Sequence, residues 1–423
     1  MHRSTAIFVL VVATIAAALP PGWAQAPGKP NTPPLLTNGR VPTFQELRAA
    51  AEKGDAEAQF TLGGMYYKGE GAPQDYNEAA KWYIKASEQG LWKAQFNLGA
   101  MYEDGLGVPQ NYKKAVEWFN KAAEQNDPGA QFTLGLIYHN GEGIPRDYKS
   151  AIKWFVKAAE QGDADAQFNL GLMYAQGQGT PQDYKETVKW HAKAAEQGDP
   201  RAAYNLGLIY EEGQGGVPQN YAEAAKWYLQ AAEHGSAGAQ NNLGGMFENG
   251  RGMPPDFAEA VKWYTKAAQK GDAEAQYNLG GMYLRGRGVP EDFKEAAKWY
   301  ARAADQDLPS AQYDLGIMYE EGQGVAQDYK EAAKWYAKAA EAGDADAQND
   351  LAGMYENGQG VPRNLVHAHM WYTLAAASAM GDAQKDVAQS LARVAAQMTG
   401  QQIAQAQELA RRCRQSKNKN CDQ

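Results

Sequence analysis

Nine tryptophans, Trp82, Trp118, Trp154, Trp190, Trp227, Trp263, Trp299, Trp335 and Trp371, stand 36 residues apart along the chain, except for one interval of 37. A fixed period of that length means that one small helical unit is repeated, each copy burying its apolar face on the next. The length of 423 residues would otherwise suggest two or three globular domains. Repetition overrides that prior, and one continuous elongated domain is expected.

The copy that begins at Asp163 shows what a unit encodes. Asp163 is placed to cap a first helix, and Ala166, Leu170, Gly171 and Tyr174 recur at three- and four-residue spacing to give it an apolar face. Gly177 ends that helix as a left-handed residue, and Pro181 keeps the chain out of helix through the turn. Asp183 then caps a second helix, on which Tyr184, Val188, His191, Ala192 and Ala195 form a stripe with Trp190 beside it, and Gly198 closes the unit. The small residues allow close approach of two antiparallel helices, and the aromatics fill the spaces between them.

A Gly-x-Gly pair recurs at every such turn, from Gly69-Glu-Gly71 to Gly358-Gln-Gly360. It has no preceding strand and no third glycine at phosphate-cradle spacing, so it reads as turn geometry. The strings Ala-Gln-Phe-Asn-Leu-Gly-Leu-Met-Tyr, Gly-x-Gly-x-Pro-x-Asp-Tyr and Ala-x-x-Trp-x-x-Lys-Ala-Ala-Glu-x-Gly resemble the Sel1-like repeat, a relative of the tetratricopeptide repeat. The resemblance implies an all-α, right-handed superhelical solenoid of αα hairpins that acts in protein–protein interaction. It implies no particular partner.

The segments around the repeats set the expected domain plan. Residues 1–24 have the layout of a cleaved export signal, with Arg3 before an apolar stretch from Ala6 to Leu19, so a periplasmic or secreted location is expected. A proline-rich linker follows at 25–42, then an N-terminal capping helix at 43–54, nine repeats at 55–380, capping helices at 381–415 and a polar, basic tail at 416–423. Thr399 and Gln402 form a capping-box pattern that opens the last helix. The extra glycine Gly216 lengthens one turn and is expected to leave the stack intact. The only two cysteines, Cys413 and Cys421, are candidates for a disulfide closing a small loop.

The net charge of −9 argues against nucleic acid as the main partner. Arg411, Arg412, Arg414, Lys417 and Lys419 make a basic end, which suits either a solvated helix C-terminus or contact with an anionic envelope surface. Nothing after the signal is long and apolar enough to predict stable membrane insertion, and a monomer is favoured.

In tetratricopeptide relatives the first helices line the concave face, and an asparagine just before the Leu-Gly pair binds peptide backbone. Here that position holds Asn97, Asn169, Asn205, Asn242 and Asn278, with Thr61, Thr133, Asp314 and Asp350 in the other copies. An extended protein segment tracked by these amides is the binding mode the resemblance implies. The preceding residue is usually aromatic (Phe60, Phe96, Phe132, Phe168, Tyr204, Tyr277, Tyr313), and two readings stand for it, a sticky groove or packing between helices. Further along the first helix lie Glu103, His139, Glu211, Glu248, Glu320 and Glu356. This acidic row is either a solvated face or a lining for a partner with basic residues, and Arg285 and Arg287 interrupt it. Leu91-Trp92 and Leu308-Pro309 replace the polar cap in two copies, either as partner contacts or as packing on the preceding loop.

Catalysis finds little support. Ser150-Ala-Ile-Lys153 and Ser416-Lys-Asn-Lys419 match S-x-x-K, but Ser150 stands where sister copies have Glu78 or Glu186, and no K-T-G or S-D-N companion exists. His367 and His369 are two apart, out of phase for one helix face, and no H-E-x-x-H occurs, so no metal and no cofactor are expected. His191 reads as a core residue in place of an aromatic. The leading expectation is an exported, non-catalytic adaptor that binds an extended protein segment. The alternatives are an envelope structural or regulatory component acting by self-association or through a membrane sensor, and a β-lactamase-like or other hydrolase.

Overall fold

The computed structural model describes residues 42–379, 381–416 and 421. The expected signal at 1–24, nearly all of the linker, and Lys417 and Lys419 lie outside the described residues. Among those described, the regular structure is α-helix throughout, apart from one short 3-10 turn at Gln214–Gly216. Consecutive helices pack as antiparallel hairpins, Ala164–Gln176 with Tyr184–Glu196 for example, so the fold is an all-α, αα-hairpin solenoid. Where the repeat count predicted one continuous domain, the chain divides into two compact units, Met1–Gln219 and Asn220–Gln423. The division falls in the turn that carries Gly216, which sits at φ 82 with open space around it. Helices of such an array touch only near neighbours in sequence, so a division can fall at any turn.

Caps follow the sequence closely. Asp163 accepts from the Ala166 amide at 2.7 Å and Asp183 from those of Lys185 and Glu186 at 2.8 and 3.1 Å, satisfying donors the helices cannot. Gly177 closes the first helix at φ 65, ψ 30. The second glycine of the pair does more than turn the chain. A Cβ on Gly179 would lie 2.7 Å from the Tyr148 carbonyl of the preceding copy, so the turn is also a contact between copies.

Within a hairpin, the glycine of the Leu-Gly pair is covered by the aromatic that follows the tryptophan. Cβ atoms added at Gly99, Gly135, Gly244 and Gly316 would fall 2.8, 2.5, 2.7 and 2.6 Å from the rings of Phe119, Phe155, Tyr264 and Tyr336. The same place is taken by His191 over Gly171, fully buried and 5.4 Å from the Phe168 ring. The buried stripe of that second helix is Thr187, Trp190, His191 and Ala194, with Ala195; Tyr184, Val188 and Ala192 are only half-buried. The face differs from the expected one because it is the face every copy buries, with Ala79, Ala151 and Ala260 in the place of Thr187, whose hydroxyl donates to the Gly171 carbonyl at 3.1 Å.

Within each unit, tryptophans reach into the core shared by their own first helix and the second helix just before it. Trp82 joins the cluster of Leu47, Ala51, Ala58 and Leu62, Trp154 that of Phe119 and Leu134, and Trp190 that of Phe155 and Leu170. In the second unit Trp299 packs on Tyr264 and Leu279, and Trp335 on Tyr300 and Leu315. In most copies a lysine three residues on covers the outer ring face, with Nζ to centroid distances of 3.9 Å for Lys121 over Trp118 and 3.8 Å for Lys266 over Trp263, and Arg302 does so for Trp299.

A second linkage runs through buried glutamines. Gln59, Gln95, Gln131 and Gln167 donate to backbone carbonyls eight residues earlier at 2.9–3.2 Å, and their Oε1 atoms accept from Gln89, Gln125, Gln161 and Gln197 at 2.7–2.8 Å. Each first helix is thereby tied to the second helices on both sides of it. In the second unit Gln276 and Gln306 repeat the arrangement, whereas Gln240 and Gln348 have buried Oε1 atoms without a partner. The sister positions there are Lys270 and Ser378.

The array is closed by helices Asp382–Ala395 and Gly400–Gln415, the latter opened by a Thr399–Gln402 capping box. Cys413 and Cys421 are joined as a disulfide, Cα atoms 4.9 Å apart, both buried in the cluster that holds Trp371.

Gly135→Ala should destabilise the protein by about 1–3 kcal/mol through overpacking on Phe155, whereas Gly353→Ala, where the nearest neighbour is the Tyr372 hydroxyl at 3.7 Å, should be neutral or gain up to about 1 kcal/mol. Urea midpoints of the two variants read this directly. A second expectation concerns acid. Burial holds the His191 imidazole down at about 4, so the unfolded chain takes up its proton first. The stabilisation is complete above about 6.5 and is lost as pH falls towards 4, a swing of roughly 3 kcal/mol. His191→Phe should flatten that part of the stability-versus-pH curve.

Candidate protein-binding surface

The first helices carry the residues singled out for binding, and the structure uses many of them internally. The aromatics before the amide position pack between helices and do not form a groove. Phe60, Phe96, Phe132 and Phe168 are buried, and their rings meet those of Tyr83, Phe119, Phe155 and His191 at centroid distances of 5.4–5.8 Å. Tyr277 and Tyr313 meet Tyr300 and Tyr336 in the same way.

The amide row is not uniform. In the first unit Asn97 bonds the Tyr83 hydroxyl, and Asn169 donates to its own helix at the Asp165 carbonyl, 2.8 Å away. Asn205 is 6 % exposed and makes no hydrogen bond among the described residues. In the second unit Asn242 likewise makes none, while Asn278 donates to Asn241 at 2.9 Å. Asp314 and Asp350 accept from the hydroxyls of Tyr277 and Tyr313, each at 3.0 Å. These two bonds and the Asn278–Asn241 bond join residues 37 apart, linking neighbouring first helices. Burial is the main cause that pushes both aspartates above the usual carboxylate range.

The acidic row is also engaged from within. Tyr264, Tyr336 and Tyr372 donate to Oε2 of Glu248, Glu320 and Glu356 at 2.9, 2.7 and 3.0 Å. Glu356 is further held by the Arg393 fork, Nε to Oε1 and Nη2 to Oε2 both at 2.9 Å, which depresses its carboxyl. In the first unit burial, with Asp104 and Glu142 adding, pushes Glu103 up to about 7. His139 there reaches Gln178 of the next copy at 2.9 Å, and Glu211 is half-buried.

The two unusual turns point inward. Leu91 and Leu308 make no side-chain cap, and they pack on the clusters of Leu98 and of Leu315. Trp92 is half-buried against the cluster of Phe96 and Leu134.

The chemistry-bearing motifs are absorbed by structure. Ser150 donates to the capping Asp147 at 2.7 Å, Ser416 to the Cys413 carbonyl at 2.8 Å, and His367 stacks on Tyr355 at 5.2 Å. Among the described residues no group of three or more His, Cys, Asp or Glu side chains is placed to hold a metal, and no helix is long and apolar enough to cross a membrane. Two sets of side chains escaped the sequence reading. The buried glutamines are visible as an Ala-Gln pair in eight of the nine first helices, Ala203 being the exception, but their partners 30 residues on carry no local signal. Arg393 lies in a capping helix, where no repeat consensus marks it.

Hairpins of one length, stacked through tryptophan and glycine, define a helical repeat protein. The chain belongs to the Sel1 repeat family, whose model matches at residues 56–91, 92–127, 128–163, 164–199, 200–236, 237–272, 273–308, 309–344 and 345–379. Members of that family are in general non-catalytic protein-interaction scaffolds. Among solved structures, a Sel1 repeat protein from Oxalobacter formigenes is 32% identical, with 82% of this chain and 90% of that one covered and a TM-score of 0.57. The protective antigen c5321 of uropathogenic Escherichia coli, which displays the same repeat fold, is 30% identical over 90% of this chain and 96% of that one, with a TM-score of 0.50. No curated protein matches the chain.

Arg393→Ala should leave the Glu356 carboxylate with only the Tyr372 hydroxyl and cost about 1–3 kcal/mol, less than for a fully buried pair because Arg393 is more than half exposed. Hydrogen exchange should then rise over 382–415 ahead of the repeats.

Proposed function

We propose that this chain is an exported, non-catalytic scaffold that holds an extended protein segment along the first helices of its repeats. The observation that carries the reading is how the side chains are spent. Aromatic, glycine and glutamine positions are consumed in packing, and what the first helices leave unmatched is a sparse polar set: the buried Asn205 in the first unit, and the half-buried Asn242 and Oε1 of the half-buried Glu320 in the second. Buried or half-buried polar groups without protein partners gain most from a backbone that supplies them. Export, to the periplasm or beyond, is part of the proposal and rests on the layout of residues 1–24.

Capture from an envelope extract with wild type, with Asn205→Ala and with Asn242→Ala tests it. Each substitution should weaken recovery of at least one protein by several fold while leaving the thermal midpoint within about 2 °C, since neither side chain makes a hydrogen bond in the fold. Equal recovery by all three chains would remove the amides from the binding role. Sedimentation of the purified chain serves the alternative, because a stable oligomer without ligand would favour self-association.

A further inference from the structure

The second unit shows twice how a Glu–Tyr pair at the end of a first helix is completed. Glu356 takes the hydroxyl of Tyr372 on Oε2 and a bidentate guanidinium from Arg393. Glu248 takes the hydroxyl of Tyr264 on Oε2, and Arg287 from the following turn brings Nη1 to 3.6 Å from Oε1. Both arginines come from the next element of the array.

Glu320 is the third such pair, and it is incomplete. Tyr336 donates to its Oε2 at 2.7 Å, but no cation stands within ion-pair distance of it among the described residues, and its Oε1 has no hydrogen bond. The reason is legible in the repeat register. Arg287 lies 39 residues after Glu248, and the residue 39 after Glu320 is Gln359, neutral and exposed. The neighbouring copy repeats the deficit. Arg285 acts on Asp314, whereas the residue 36 further on is the acidic Glu321, and no basic group acts on Asp350. Asp350 and Glu320 are close enough that the Glu320 charge adds to burial in pushing the Asp350 carboxyl up.

We infer that Glu320, with Asp350 beside it, is a receptor for an arginine side chain of the bound protein segment. The inference rests on the scaffold reading above and narrows it to a partner of stated chemistry. A guanidinium fits better than an ammonium, because its planar fork meets a carboxylate through two parallel bonds while Tyr336 holds that carboxylate in place. The chain itself supplies the template, since Arg393 fills the same Glu–Tyr pair one copy later.

The probe is a fluorescein-labelled acetyl pentapeptide amide, Gly-Ser-Arg-Ser-Gly, with its lysine counterpart, titrated against the full chain by anisotropy. The wild type should bind the arginine peptide several fold tighter than the lysine one. Glu320→Gln should weaken it about tenfold, as expected for one charge-assisted pair, while Glu321→Gln, which changes net charge equally, should not. Gln359→Arg supplies the missing side chain from within. It should abolish peptide binding and raise the thermal midpoint, which a misfolded variant cannot do. Equal binding of both peptides, or equal loss in Glu320→Gln and Glu321→Gln, would reduce the effect to diffuse charge and overturn the inference. In the capture assay, Glu320→Gln recovering the same proteins as wild type would overturn the arginine site and leave the scaffold standing. A chain that holds the peptide at Glu320 but recovers no protein would overturn the scaffold alone.

Discussion

Within each unit the fold depends on one insertion, that of a second-helix tryptophan into the core shared by its own first helix and the second helix just before it. Trp154 among Phe119 and Leu134, or Trp190 among Phe155 and Leu170, completes a core that its own hairpin cannot close. A two-helix unit of 36 residues is too small to exclude water from both faces. The lysine above the ring covers the outer face, so the part of the ring that the stack leaves open is shielded by a side chain whose charge stays in water.

Around that insertion the remaining positions have little latitude. The glycine before the tryptophan's aromatic neighbour allows helix approach, the second glycine of the turn touches the preceding copy, and the glutamines join three helices through one side chain. A buried amide must satisfy both ends, and the donor–acceptor order Gln197 to Gln167 to the Ala159 carbonyl does so without water. This explains why residues of such different chemistry recur with the same strictness. It also explains why departures carry information, as where Lys270 or Ser378 leaves a glutamine oxygen unmatched.

Much of this was legible in the sequence. The caps at Asp163 and Asp183 and the left-handed Gly177 follow from local rules that act within a few residues. What escaped was everything whose partner lies a full copy away. Asn169 and Asn278 looked alike in the row, yet one bonds its own helix and the other a neighbour, because the identity of the facing residue, not of the asparagine, decides. Thr187 was missed for a similar reason, since its place inside is set by the facing helix, where the Gly171 carbonyl receives its hydroxyl. Arg393 belongs to a segment outside the repeat, where period offers no guide.

The glutamine linkage has a consequence for how such a chain changes over time. From Gln59 to Gln197 every contact of this kind is written between one copy and the next in the same vocabulary, so removing or duplicating a whole 36-residue segment there rejoins identical edges. Recombination can therefore alter the length of that part of the array in whole steps without redesigning a junction. A single mismatched edge, like that at Gln240, does the opposite: it fixes the order of its neighbours by making that one junction unlike the rest.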